Sequence, residues 1–288
     1  IPTRAPIPRA HVAPPERAAT SPHTLGDAHM VTPSHTHTHT TTHADTAGWR
    51  VEVGEGEVHE LKKHTLAQLR AQHAATRSLR PEAARYQTHS APRESGVLDK
   101  GDVLEALGAL RDGQLPAAPG GDGPGAPRCS VGLSLSHPQV PTLERAISVR
   151  VGGAPLFSAV QCTFNLLDQS TAEALARAHA EGVFVIVKEA LANGRLSPRA
   201  PKSARLQLLR REAAALGVSV DTLAIAWVLS HDFVDMCLSG AGSVDQLRSN
   251  AAALKLVPLA PDQMARLRVG MAMPCGGRWA ERRSLARQ

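Results

Sequence analysis

Aromatic residues are scarce in this chain: three Trp, four Phe and a single Tyr, Tyr86, in 288 residues. A reaction that needs a tyrosine acid must use that one phenol or do without. The four cysteines (Cys129, Cys162, Cys237, Cys275) are widely separated and form no CxxC. That excludes a zinc ribbon, a redox dithiol and a secreted disulfide scaffold, and makes a reducing compartment the default. No run of eighteen apolar residues occurs, so no helix is expected to span a bilayer. Neither GxGxxG nor GxxxxGK[ST] opens any helix, which removes the usual phosphate loop of a doubly wound sheet. Basic residues exceed acidic ones by only 32 to 26, and Arg-Arg neighbours occur just twice, at Arg210 with Arg211 and Arg282 with Arg283. Charge so diffuse is no footprint for nucleic acid. Neither a nucleic-acid nor a membrane partner is expected.

What is present divides sharply. Residues 1–47 hold seven prolines, seven histidines and ten threonines, no aromatic, and only six of Val, Ile, Leu and Met. Such a stretch cannot bury enough apolar surface to offset its ordering entropy, and it reads as a disordered Pro/His/Thr-rich tail. Its Arg4, Arg9 and Arg17 with few acids also resemble an organelle transit peptide. Residues 48–288 read as one domain. A helical period covers 58–78, an extended segment 84–89, and a strong helix 102–111 with Asp102 as its N-cap. The run PAAPGGDGPGAP (116–127) reads as a loop or insertion. Buried strands are expected at 130–136, 158–164, 183–190 and 234–240. Helices are expected between and after them at 141–148, 171–181, 203–216, 220–229 and 243–254. Strands of about seven residues alternating with such helices define βαβ units on a parallel sheet. Pattern leaves a doubly wound sheet or a (β/α)8 barrel, with the barrel favoured.

The stretches VQCTFNLLDQS (160–170), VIVKEALANGRL (185–196), LGVSVDTLAIAWVLSH (216–231) and LSGAGSVDQLRSN (238–250) then settle the choice. In order and spacing they resemble the C-terminal half of the aldo-keto reductase family, a (β/α)8 TIM-type barrel of NADP-dependent carbonyl reductases. VGLSLSHP (131–138) is similar to the family's fifth strand. EVHELKKHTLAQL, RYQTHS and ESGVLDKGDVLEALGALRDG are similar to its third helix, fourth strand and fourth helix. The resemblance runs from Trp49 onward and implies an incomplete barrel of strands four to eight.

The resemblance implies hydride transfer from NADP(H) to an aldehyde or ketone, with a tyrosine as proton donor tuned by lysine, aspartate and histidine. His89 stands where the family places its catalytic histidine; the alternative is an ordinary, partly buried histidine. Gln161 and Ser134 match the residues that hold the nicotinamide carboxamide, although Leu135 replaces an asparagine often found beside the serine. Lys188 replaces a tyrosine that many members stack on the nicotinamide, so charge stands where stacking would. Leu191 joins this cofactor-binding set. In the last βα turn, Gly240 and the helix start at Ser243 suit the NADP 2′-phosphate. Gln246 and Asn250 match contacts to the ribose phosphate and adenine, against a plain reading as polar helix surface. A basic residue often found in this turn is absent unless Arg248 reaches across.

Three expected parts have no match. Residues 1–47 contain neither tyrosine nor lysine, and Tyr86 is absorbed by the fourth-strand motif and should point away from the site. Beginning on Ile1 and matching strands four to eight, the chain is expected to be a fragment, weak or inactive as it stands. The alternative is a non-catalytic reductase-like module that binds a nucleotide or a protein. His35, His37, His39 and His43 could hold a metal loosely, but no second shell is evident. His59 and His64 lie five apart, about 140° around a helix, so they cannot form a zincin pair. No metal site is expected. Location is expected to be cytoplasmic, or in an organelle such as a plastid.

Overall fold

The computed structural model describes residues 64–79, 84–91, 96–115, 128–274 and 277. All lie in the unit spanning Val31–Gln288; the second unit, Ile1–Met30, falls outside them. The expected tail at 1–47, with its histidines, and the loop at 116–127 also lie outside the described residues. In chain order the elements are α1 (Leu66–Leu79), β1 (Arg85–Ala91), α2 (Gly101–Asp112), β2 (Ser130–Leu135), α3 (Gln139–Ser148), β3 (Arg150–Val151) and β4 (Ala154–Pro155). There follow β5 (Ala159–Thr163), α4 (Ala172–Ala180), β6 (Phe184–Lys188), α5 (Ala204–Ala215), α6 (Val220–Leu229) and β7 (Met236–Cys237). The last elements are α7 (Val244–Ala251), a 3-10 turn (Ala252–Lys255) and α8 (Pro261–Met271).

Five strands form one parallel sheet in the order β1-β2-β5-β6-β7. The order never reverses, so there is no switch point of the doubly wound kind; each new strand is added on the same side. That is the winding of a (β/α)8 barrel, and the arc corresponds to its strands four to eight. Among the described residues β1 and β7 are its two edges.

Alternation gives the sheet two unlike faces. One carries Val131, Leu133 and Leu135 of β2, Val160 and Cys162 of β5, and Val185 and Val187 of β6, all essentially inaccessible. Helices cover this side: α2 and α3 pack on β2, α3 also on β5, α4 on β6 and α6 on β7. Leu107, Leu110, Leu143 and Leu175 supply the opposing layer, each fully buried. Each such side chain contributes roughly 1.5–3 kcal/mol. The other face carries Gln87, Gly132, Ser134, Gln161, Thr163 and Lys188 together with Ala159, Phe184 and Ile186, so polar and apolar side chains share it. A Cβ at Gly132 would run into the Gln87 amide and come within 3.3 Å of the Ala159 Cβ, so glycine permits the close approach there.

Several boundaries differ from the expectation. Helix α1 is described only from Leu66; residues 58–63 lie outside the described set. Lys100, not Asp102, is the N-cap of α2 and makes no side-chain cap bond. Asp102 sits in the first turn, where its carboxylate meets the positive end of the helix dipole. The strand expected at 234–240 shrinks to Met236–Cys237, because only those residues pair, with Ile186 and Val187. Beyond them the chain leaves the sheet toward Gly240, whose φ is +62°. The helix expected at 243–254 tightens after Ala251 into the 3-10 turn. Two elements were not anticipated. The β3–β4 hairpin is held to α2 by Arg111, whose guanidinium donates to the carbonyls of Val151, Ala154 and Pro155 while pairing with Asp112 at 2.8 Å. Helix α8 packs on α5.

Candidate functional site

The mixed face becomes chemically specific at the C-terminal ends of its strands. Register pairs Ser134 with Gln161 across β2 and β5, and Thr163 with Lys188 across β5 and β6. Lys188 reaches diagonally over β5: its Nζ donates to the Leu135 carbonyl at 2.7 Å and to Ser134 Oγ at 3.1 Å. Ser134 Oγ in turn donates to Gln161 Oε1 at 2.9 Å. The direction of this relay follows from chemistry. An ammonium only donates, so the hydroxyl accepts from it and passes its own proton on. Gln161 must then offer oxygen to Ser134, and its Nε2 keeps two N–H donors, with no further hydrogen bond among the described residues. Ser134 is wholly buried, while Gln161 and Lys188 are half-buried.

His89 falls one strand over, at the end of β1. It lies within the irregularity in register between Thr88 and Ala91, where strict alternation no longer fixes the face of a side chain. The residue is exposed, and its carbonyl faces His64 Nε2 at 3.1 Å. Tyr86 lies on the opposite, helix-covered face. Its hydroxyl approaches Gln72 of α1 at 3.5 Å and its ring meets His73 edge-on. Burial, helped by Cys129 nearby, pushes its phenol up to about 12. The chain's one tyrosine therefore cannot reach the Ser134–Gln161–Lys188 group.

Beneath this group, buried polar side chains hold the loops that follow β5 and β6. Gln139 accepts from the Thr163 backbone at 2.7 Å and donates to its carbonyl at 3.3 Å. Asn165, fully buried, donates to the Glu189 carbonyl at 2.9 Å and accepts the amides of Leu167 and Asp168. Thr163 Oγ1 donates to the Glu189 carboxylate at 3.3 Å. Glu189, Ala192 and Asn193 all take positive φ, 57°, 49° and 55°. Three non-glycine residues in that region within five positions store backbone strain, which the clamp from Asn165 helps to hold. Leu191, within the same turn, packs its side chain against the core. Sequence reasoning missed Gln139, Thr163, Asn165 and Glu189; the available signal was polar residues at strand ends within otherwise apolar runs.

A second group forms after β7. Ser243 is the N-cap of α7 and accepts from the Gln246 amide at 3.3 Å, while Gln246 Oε1 reaches back to the Gly242 N–H at 2.8 Å. This is a capping box in which the glutamine reaches one residue beyond the cap. Asn250, two turns on, is buried and donates to the Ser239 carbonyl and hydroxyl at 3.2 and 2.8 Å. Its Oδ1 is buried without a partner. Thus Gln246 and Asn250 shape the turn that begins at Gly240. Arg248 pairs with Asp245 at 3.4 Å on an exposed surface.

A parallel barrel arc with polar side chains converging at its C-terminal strand ends defines an α/β-barrel protein whose site lies where barrel enzymes carry theirs. Residues 130–269, just under half of the chain, match the model of the aldo/keto reductase family. Among solved structures, the chain is similar to the holo form of aldo-keto reductase AKR11C1 from Bacillus halodurans, at 20% identity and a TM-score of 0.56, over 76% of this chain and 70% of that one. The apo form of the same protein matches with a TM-score of 0.52, over 70% and 68%. At that identity the likeness speaks for the fold.

Proposed function

We propose that the strand-end group binds NADP(H) and serves reduction of an aldehyde or ketone, with only weak turnover by this chain alone. The observation that carries the reading is the relay from Lys188 through Ser134 to Gln161. It leaves the Gln161 Nε2 donors for a carbonyl-type acceptor such as a carboxamide oxygen. The unpartnered Asn250 Oδ1 and the capped start of α7 suit the other end of a dinucleotide. When bound, the cofactor would supply the hydride. Ser134 and Gln161 would orient it, and the clamp through Asn165 and Glu189 would hold the loop walls against the site. His89, exposed at the neighbouring strand end, is the candidate for steering the substrate oxygen.

Weak turnover follows from the position of Tyr86. Proton donation from a placed acid contributes about 10²–10⁴-fold, and the phenol lies across the sheet. The same observation favours the second reading, a non-catalytic module that binds nucleotide. Preference for NADPH over NADH should be modest, because Arg248 is paired with Asp245 rather than presented to a 2′-phosphate. Incubating the chain with NADPH and nitrobenzaldehyde, and following loss of the cofactor absorbance, should show trace turnover at most. Robust turnover abolished by His89→Ala would overturn the weak-activity reading.

A further inference from the structure

We propose that a cavity at the opposite, N-terminal end of the arc binds a small primary ammonium compound with an apolar body. The cavity, of about 410 Å³, is lined by Ala176 and His179 of α4 and by Ser230, His231, Asp232 and Phe233 of the α6–β7 connection. That connection leads into the start of β7, and α4 ends just before β6. The site therefore lies away from the strand-end group and does not rest on the cofactor reading. A volume of this size suits a small-molecule ligand.

The class of ligand follows from where the protons of the lining side chains already go. His231 Nδ1 lies 2.9 Å from the Trp227 carbonyl and 3.2 Å from that of Val228. Carbonyls only accept, so this nitrogen carries the proton and Nε2 keeps a lone pair. Burial holds the imidazole below its ordinary range, which favours this neutral form. Ring packing fixes its direction: the centroids of Trp227, Phe164 and Phe233 lie at 4.4, 5.0 and 5.2 Å. Ser230 spends its proton on the Ala226 carbonyl at 2.7 Å and accepts the Leu259 N–H at 2.9 Å. His179 turns Nε2 to the Asp235 carboxylate at 3.4 Å, which leaves a lone pair on Nδ1 of the neutral ring. Asp232, whose charge acts on His231, has neither an ion pair nor a hydrogen bond among the described residues. The lining side chains thus offer acceptors and a negative charge, with no proton to spare. An anion would meet only lone pairs there, whereas an ammonium brings three donors. Ala176 and the Phe233 ring supply the apolar wall. Arg268 of α8 lies outside the lining, but its charge also acts on His231 and opposes the cation.

The test is titration of the full chain with benzylammonium chloride, followed by the NMR signal of the His231 ring, which His231→Gln identifies by its loss. Benzyl alcohol serves as the uncharged probe of similar shape and benzoate as the anionic one. Asp232→Asn and Arg268→Gln change exposed side chains, and each is checked for native circular dichroism. In wild type the ammonium should shift the His231 signal saturably, with a Kd on the order of a millimolar, and benzyl alcohol and benzoate should bind at least about five-fold more weakly. Asp232→Asn should weaken the ammonium about five-fold, since an exposed carboxylate is partly screened. Arg268→Gln should tighten it about two-fold, an effect that a merely structural role for these residues would not produce. No saturable shift in folded wild type overturns the site. Equal or tighter binding of benzoate or benzyl alcohol overturns the ammonium class, and an affinity unchanged by Asp232→Asn overturns the part assigned to that carboxylate.

Discussion

At the scale of single residues, direction matters more than identity. Tyr86 and Gln87 are neighbours in sequence and face opposite sides of β1. One phenol is thereby lost to the helix layer while the other face is built from the alternate positions. Burial on the helix side has a measurable signature in alkaline solution. It pushes the Tyr86 phenol from 10.0 up to about 12, and the Cys162 and Cys237 thiols from 9.0 up to about 12. These groups are neutral when protonated, and the folded state holds the proton more tightly than the unfolded one. Their contribution to stability is thus complete below pH 9 and is lost as pH rises from 9 toward 12. Thermal melts between pH 8 and 11.5 should show a midpoint falling steeply above pH 9. Cys162→Ala should start from a lower midpoint and fall less. A flat profile across that range would contradict the burial of these groups. Asn165 illustrates the opposite case, a residue whose importance lies wholly in its partners. Nothing in the string FNLLD announces that its amide joins the loops after β5 and β6.

Among the elements, α5, α6 and α7 begin where their side chains say they should. Ser203, Ser219 and Ser243 are N-caps whose hydroxyls accept from Leu206, Thr222 and Gln246. Ser219 does more than cap. Its hydroxyl also meets Ser249 Oγ at 2.9 Å, and Ser249 donates to the buried Asp221 at 2.9 Å, joining α6 to α7. Ser203→Ala should cost about 1 kcal/mol by urea denaturation, and Ser219→Ala roughly twice that, because a buried carboxylate network loses a member. Equal losses would mean that the α6–α7 network adds nothing to the cap. The α2 start shows why caps were read less well there. Lys100 takes the cap position without a side-chain bond, and Asp99 instead pairs with Arg145 of α3 at 3.0 Å. The two-residue strands β3 and β4 were too short to leave any periodic pattern. They are set by Arg111 and by Gly108, where a Cβ would come within 2.5 Å of Val151 Cγ1.

For the molecule as a whole, order should decline from the middle of the arc outward. Strands β2, β5 and β6 have a partner on each side and nearly continuous burial, whereas β1 and β7 are paired on one side only among the described residues. Hydrogen exchange should therefore be slowest in β5 and fastest in β1 and β7, with β7 first because two residues carry its pairing. Slower exchange in β1 than in β5 would show that the edge is covered in solution. How much of this was legible in advance differs by kind of information. Ser134, Gln161 and Lys188 were site candidates only through the resemblance to a family, whereas the sequence by itself determined the alternation of short apolar runs with amphipathic helices and the helix from Val220 to Leu229. These are local, because periods of 2 and 3.6 and motif spacing are written along the chain. Tertiary structure alone decided that Lys188 crosses β5 to reach Ser134, that Gln161 keeps its N–H donors and that Gln246 and Asn250 shape their turn. Those facts depend on strand register and on which neighbours supply hydrogen-bond partners. A one-residue slip in register would turn every side chain to the other face, and no local pattern specifies that pairing.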